Sequence, residues 1–216
     1  ITGWAPRFGW WRETSPALND LIKSDVKRVK AIRSAVGPNI EIAVDAACRL
    51  DLPSARKLCQ ALEELDIAFF EEPIVQNNVR LMAELRRETS IPITAGQNEG
   101  LAYRFRDMLL AGAVDVIQPN AIITGGMTQC VRIAGMASAF NVPISNGGGA
   151  PLHNAHLQAG LSVGTAVEYQ FNTVAAGDVL YGEKPVQTDG LLSMSDEPGF
   201  GLTPNPDVLK SARDDG

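Results

Sequence analysis

The chain of 216 residues is 45% hydrophobic and 20% charged, with a formal net charge of −6 at pH 7. That length suffices to bury about 70% of the unfolded surface in one sizeable core, and the acidic balance argues against nucleic acid or an anionic membrane as partner. No apolar run approaches the ~18 residues of a membrane span and no charged-then-apolar leader opens the chain, so the sequence reads as soluble and cytoplasmic.

The chain opens on "ITGWAPRFGW", with no initiator Met and a strand-like Ile1, and so reads as the middle of an element. All three tryptophans follow within "GWAPRFGWWRETSP". Residues 20–36 place Leu21, Ile22, Val26, Val29, Ile32 and Val36 at helical spacing before a Gly-Pro stop. From there short β-branched runs alternate with amphipathic stretches. Strands are expected at 40–46, 67–73, 91–96, 114–119, 142–146 and 166–170, with helices at 54–65, 77–88, 103–111, 126–140 and 152–162. After Gln170 the alternation stops, and a tail rich in Gly, Pro and Asp reads as turns or a β-ribbon packed on something. Cys48, Cys59 and Cys130 form no CxxC or Cys/His cluster and read as buried free thiols.

A strand-helix-strand spacing near 25 residues implies parallel strands joined by right-handed crossovers. Polar residues gather where the strands end: Asp45, Glu71, Glu72, Gln97, Asn120, Asn146 and Glu168. An open doubly wound sheet binds ligands only near a switch point. A (β/α) barrel puts every strand end on one functional face, and six successive polar ends favour the barrel. Six strands do not close a barrel of about eight, so further strands are expected before Ile1.

Asp45, Glu71 and Gln97 stand at the ends of three successive strand runs, 26 residues apart both times. On neighbouring parallel strands, equivalent positions would bring three oxygens within reach of one ion. Hard oxygens with incomplete coordination suit Mg²⁺. Taken singly, each could equally be a helix cap or a solvated loop residue.

With "VDAACRL", "FFEEP", "ITAGQNEG", "DVIQPNAIITGGMTQ", "AHLQAG" and "DGLLSMSDEPGFGL" in this order, the chain resembles the barrel domain of the mandelate racemase/muconate lactonizing group of the enolase superfamily. The resemblance implies a (β/α)7β TIM-like barrel, here lacking its first strands and the N-terminal capping domain. Residues 1–170 would be the partial barrel and residues 171–216 a tail packing toward the cap. It also implies one Mg²⁺ held by Asp45, Glu71 and Gln97, and abstraction of the proton α to a substrate carboxylate. Glu99 is an alternative third ligand, because Gln97 stands where the family most often has a carboxylate.

Two further departures bear on the reaction. Asn120 occupies the place of a racemase Asp and Asn146 that of its partner His, so no Asp–His dyad assembles there. His153 is the remaining candidate acid or base, with a structural role as the alternative, and His156 reads as a packed helix residue. The "GGG" at 147–149 offers backbone N–H groups to an anion or forms a flexible loop. Glu168 matches a position that bonds the substrate carboxylate, and Arg7 and Trp10 lie on a loop suited to clamping an acid or to packing on a neighbouring domain. A Lys-x-Lys base would fall before Ile1.

The expectation is an Mg²⁺-dependent acid-sugar dehydratase acting on a small carboxylate and assembling as a homo-oligomer. Racemisation or cycloisomerisation of a small carboxylate is the alternative, and a non-catalytic sugar-acid-binding relative is a third reading.

Overall fold

The computed structural model describes residues 18–149, 151–181 and 186–212. They form two units. One runs to Ala95 and takes in Asp107–Val116; the other comprises Gly96–Arg106 and everything from Ile117 onward.

In the first unit, α1 (Leu18–Val36), β1 (Ile42–Asp45), α2 (Leu52–Leu62), β2 (Ile67–Glu71), α3 (Val79–Glu88) and β3 (Ile93–Ala95) follow in strict alternation. The strands are parallel neighbours in chain order. Side chains start the helices where the sequence supplies caps. Asp51 Oδ1 accepts from Ser54 N–H at 2.9 Å, with Pro53 in the first turn of α2, and Asn78 Oδ1 accepts from Leu81 N–H at 3.2 Å at the head of α3. Leu58, Leu62, Phe70, Met82, Leu85 and Ile93 are fully buried between sheet and helices. Arg33, in the last turn of α1, donates to the carbonyls of Leu65, Asp66, Gly37 and Ile40, and so fixes the approach to β1 and β2. Asp115 pairs with Arg86 at 2.6 Å, accepts from Ile93 N–H at 2.9 Å and donates its own N–H to Ile93 O at 2.7 Å.

The helix α4 (Leu101–Ala111) and the strand β4 (Val116–Ile117) each run across the division. In the second unit, Ile117 pairs with Ile144 of β5 (Ile144–Asn146), which pairs in parallel with β6 (Gly164–Val167). Around them come α5 (Met127–Ala139), α6 (Pro151–Ala159) and α7 (Phe171–Leu180), then a hairpin of β7 (Gln187–Thr188) and β8 (Leu191–Leu192), and a short α8 (Pro206–Ser211). Phe105, Ile117, Cys130, Ile133 and Ile144 are fully buried.

The expected elements before Gln170 are all present, and each strand is shorter than expected. The last differs most: β6 ends at Val167, so Glu168 lies just beyond it and donates its N–H to Asn146 O at 2.8 Å. The tail contains the expected ribbon but also α7, which the sequence hides because its apolar residues encircle the helix: Val174 is buried while Phe171 and Val179 are exposed. Among the described residues no helix is long and apolar enough to cross a membrane. Cys59 and Cys130 are buried and their thiols are pushed up to about 11 by burial, whereas Cys48 is only half-buried.

Candidate functional site

In the first unit, Asp45 closes β1 and Glu71 closes β2, and the two are register partners. A bulge makes them so. Ile42 lies opposite Ile67, an offset of 25, but from Ala43 onward the offset is 26, which brings Glu71 level with Asp45. Level residues on adjacent parallel strands project from the same face, with backbones about 4.8 Å apart. Asp45 is exposed and Glu71 is buried. Asp45 Oδ1 accepts from Ala47 N–H at 2.7 Å, and Ala46 N–H donates to Glu71 O at 3.0 Å, continuing the ladder past the strand ends.

Equal spacing in the sequence does not carry the register on to Gln97. The β3 partner of Glu71 is Thr94, an offset of 23, so Gln97 lies three residues beyond the level position. Between them, Gly96 turns the chain at φ +127°, where a β-carbon would sit 2.8 Å from the Phe105 ring and 3.3 Å from Gln118 N. Gln97 is buried within the second unit. Its Oε1 lies 3.2 Å, and Gln118 Nε2 3.4 Å, from the place a β-carbon on Gly147 would take. The alternative donor, Glu99, is engaged otherwise: Arg104 Nε donates to its Oε2 at 2.7 Å.

The ends of β4 and β5 are closed by amides. Asn120 is fully buried; its Nδ2 donates to Gly148 O at 3.1 Å and its Oδ1 accepts from Ile122 N–H at 3.2 Å. Asn146 Nδ2 donates to Pro119 O at 2.6 Å. Asn154, which sequence reasoning did not single out, bridges both ends. Its Nδ2 reaches Asn120 Oδ1 at 3.4 Å and Gly147 O at 3.3 Å, and its Oδ1 accepts from Ala121 N–H at 2.9 Å. Gly148, at φ +81°, has room for no side chain, because a β-carbon would meet Asn120 Nδ2 at 2.1 Å. The residue beside Gln97 and Gln118 is thus Gly147, while Asn146, one position earlier, turns to the Pro119 carbonyl. Two buried oxygens here, Gln118 Oε1 and Asn146 Oδ1, have no hydrogen-bond partner.

Glu168 Oε2 accepts from Gly149 N–H at 3.0 Å, tying the glycine turn to the end of β6. His153, in the first turn of α6, lines a cavity of about 180 Å³ together with Gly149, Ile122, Thr173 and Tyr181. Its ring meets Phe200 edge-on at 4.9 Å, and burial, with the nearby His156, holds its pKa below the ordinary value. His156 also packs against Phe200, at 5.2 Å, with Nε2 3.0 Å from Phe200 O. Arg7 and Trp10 lie outside the described residues.

The donors suit a small hard cation. Two level carboxylates are groups such an ion takes. Among the described residues, no three His, Cys, Asp or Glu side chains converge on one ion position.

Residues 8–208 match the enolase C-terminal domain-like family, and the chain belongs to it. Arabinonate dehydratase of Saccharolobus solfataricus is 32% identical over 186 residues, which cover 84% of this chain and 50% of that enzyme. A crystal structure of L-talarate dehydratase from Polaromonas sp. JS666, complexed with Mg and L-glucarate, superposes with a TM-score of 0.80 at 27% identity. That match covers 88% of this chain and 51% of the other. A racemase from Streptomyces coelicolor A3(2) with bound magnesium gives 0.81 at 27% identity, over 88% and 51%. The chain spans about half the length of these relatives. Its parallel strands, each followed by a helix, form part of the TIM-barrel-like domain of the family.

Proposed function

We propose that the protein is an Mg²⁺-dependent acid-sugar dehydratase in which Asp45, Glu71 and Gln97 hold the cation. The observation that carries this reading is the level Asp45–Glu71 pair at two adjacent strand ends. The engagement of Glu99 by Arg104 favours Gln97 as third donor. What Mg²⁺ supplies when bound is positive charge against the charge that builds on the substrate carboxylate as its α-proton leaves. Two carboxylates and an amide make the loaded site formally neutral, which favours an anionic substrate at the expense of resting metal affinity. Gln97→Glu should then tighten Mg²⁺ in calorimetry; the assignment fails if it does not while Glu99→Gln weakens binding strongly.

Elimination needs one base for the α-proton and one acid that turns the departing β-hydroxyl into water, leaving an enol that tautomerises to a 2-keto acid. It does not need two matched bases. That asymmetry agrees with Asn120, Asn146 and Gly147, none of which titrates, at the ends of β4 and β5. In this reading Asn120 and Asn146 move no proton and hold the 147–149 turn. Glu168 and the Gly149 N–H orient the acid, Arg7 and Trp10 clamp its distal end, and His153, kept neutral by burial, exchanges the proton. The racemase among the relatives keeps isomerisation as the second reading.

The test is a screen of the natural full-length protein against aldonates and aldarates, with Mg²⁺ and with EDTA, trapping 2-keto products. A Mg²⁺-dependent keto product is expected. Exchange of the α-hydrogen with solvent deuterium, with no keto product on any substrate, would replace elimination by isomerisation.

A further inference from the structure

Nine described residues other than glycine have φ above zero, and five of them sit in the two loops after β1 and β2: Ala47, Cys48, Glu72, Gln76 and Asn77. Left-handed backbone at non-glycine residues persists only where the surroundings enforce it. Here the two loops enforce each other. Cys48 N–H donates to Glu72 O at 2.8 Å, Leu50 N–H to Pro73 O at 3.2 Å and Val75 N–H to Leu50 O at 2.9 Å. Side chains add a second link, with Cys48 Sγ donating to Asn77 Oδ1 at 3.4 Å and Asn77 Nδ2 donating to Glu72 Oε1 at 2.9 Å. Glu72 is fully buried and Asn77 is 1% exposed. A carboxyl taken out of water is costly unless it is bonded, so this arrangement is built rather than incidental.

Its position gives it a use. Glu72 directly follows Glu71, and Cys48 follows Asp45 by three residues. Glu71 is level with Asp45, whereas Glu72, one residue past the end of β2 and at φ +41°, is buried and held by Asn77. We infer that Glu72, Asn77 and Cys48 form a brace that sets the separation of the Asp45 and Glu71 carboxylates for the cation, an inference that rests on the Mg²⁺ reading above. They are positioning residues and touch neither ion nor substrate. The brace links the loop after one carboxylate to the loop after the other, so loosening it lets the pair drift without removing either donor.

The experiment titrates Mg²⁺ into the natural full-length protein by calorimetry, for wild type, Asn77→Ala, Cys48→Ala and Glu72→Gln, with thermal melts of each in EDTA. Groups that orient metal-binding side chains cost about 10- to 100-fold in affinity when removed, and Asn77→Ala is expected in that range. Cys48→Ala should lose affinity in the same direction by less, with its EDTA melt unchanged. Glu72→Gln keeps an oxygen for Asn77 Nδ2 and should bind nearly as wild type, the rescue that a mere loss of fold would not give. If Asn77→Ala does not fold, Cys48→Ala and alkylation of Cys48 by iodoacetamide decide: alkylated protein should bind Mg²⁺ more weakly, and Mg²⁺ should slow the alkylation. Wild type that binds Mg²⁺ while the folded Asn77 and Cys48 variants bind as tightly overturns the brace alone. Wild type that binds no Mg²⁺ overturns the metal reading and the brace with it.

Discussion

The ends of β1 and β2 carry acids, whereas the ends of β4 and β5 carry amides, and the two regions are held in different ways. Asp45 and Glu71 are made level by a bulge, and the loops that follow them carry strained backbone. Asn120, Asn146 and Asn154 are locked by hydrogen bonds to backbone groups at Gly147, Gly148, Pro119 and Ala121. Like charges side by side repel unless something positive comes between them, and in the proposed reading a bound cation does so. Amides stay neutral at every working pH and serve at once as donors and acceptors. The second region therefore keeps one shape whatever the proton does. In the proposed reading, charge is concentrated where a cation is to be held, and removed where the loop must stay rigid.

The largest expected effect tests the acidic side. Asp45→Asn keeps the size of the side chain and removes one of the two negative charges, so Mg²⁺ affinity should fall by more than about 100-fold, beyond the range for outer partners. Calorimetry on the variant reads this directly. Asp45→Asn that binds Mg²⁺ like wild type would mean the paired acids are structural, and the contrast between the two regions would lose its functional meaning.

Much of this contrast could be read from the sequence, because strand ends carry their chemistry in plain sight: "VDA", "FFEEP" and "QPN" place acid, acid and amide without a structure. What could not be read is register. Intervals of 26 suggest three level positions, yet one bulge makes the first pair level and a shorter β2–β3 offset leaves Gln97 three residues beyond Thr94. Local patterns carry no information on such shifts, since each depends on how a neighbouring strand docks. The same limit hid Gly147, whose place beside Gln97 and Gln118 follows from the turn of the chain past Asn146. Glu72 looked like the spare member of a Glu-Glu pair. Its buried bond to Asn77 depends on a left-handed backbone that no periodicity announces. The helix α7 escaped for another reason: with apolar residues on all sides, it offers no stripe for a periodicity argument to find.

The amide side is tested next, by giving it a charge. In Asn120→Asp the oxygen that replaces Nδ2 faces Gly148 O, an acceptor, in a fully buried position. An unsatisfied buried pair of this kind costs about 1–3 kcal/mol, and burial raises the carboxyl's folded pKa above its unfolded value of about 3.9. A raised carboxyl pKa means that the folded state holds the proton more tightly, so stability falls as pH rises from the unfolded value through the folded one. Once protonated, the carboxyl can donate to Gly148 O as the amide did. Denaturant unfolding should find the deficit against wild type larger at pH 7 than at pH 5. Equal stability at pH 7 would mean that Asn120 does not hold the glycine turn.

The smallest effect concerns a titratable group beside that turn. Burial first, and His156 second, lower the pKa of His153, so it is neutral at pH 7 and able to accept a proton. The sign follows from that direction. The stability this contributes is fully present above the unfolded histidine value of about 6.5, and it is lost as pH falls through the depressed folded value. Phe200 lies edge-on to both histidine rings and supplies part of the dry surface. Phe200→Ala should let water reach His153 and move its pKa back toward 6.5, read from the imidazole carbon-bound proton signals in an NMR titration. An unmoved titration would mean that His153 is dried by the cavity wall of Ile122 and Tyr181 instead, and the search for what tunes this imidazole would shift from the tail to that wall.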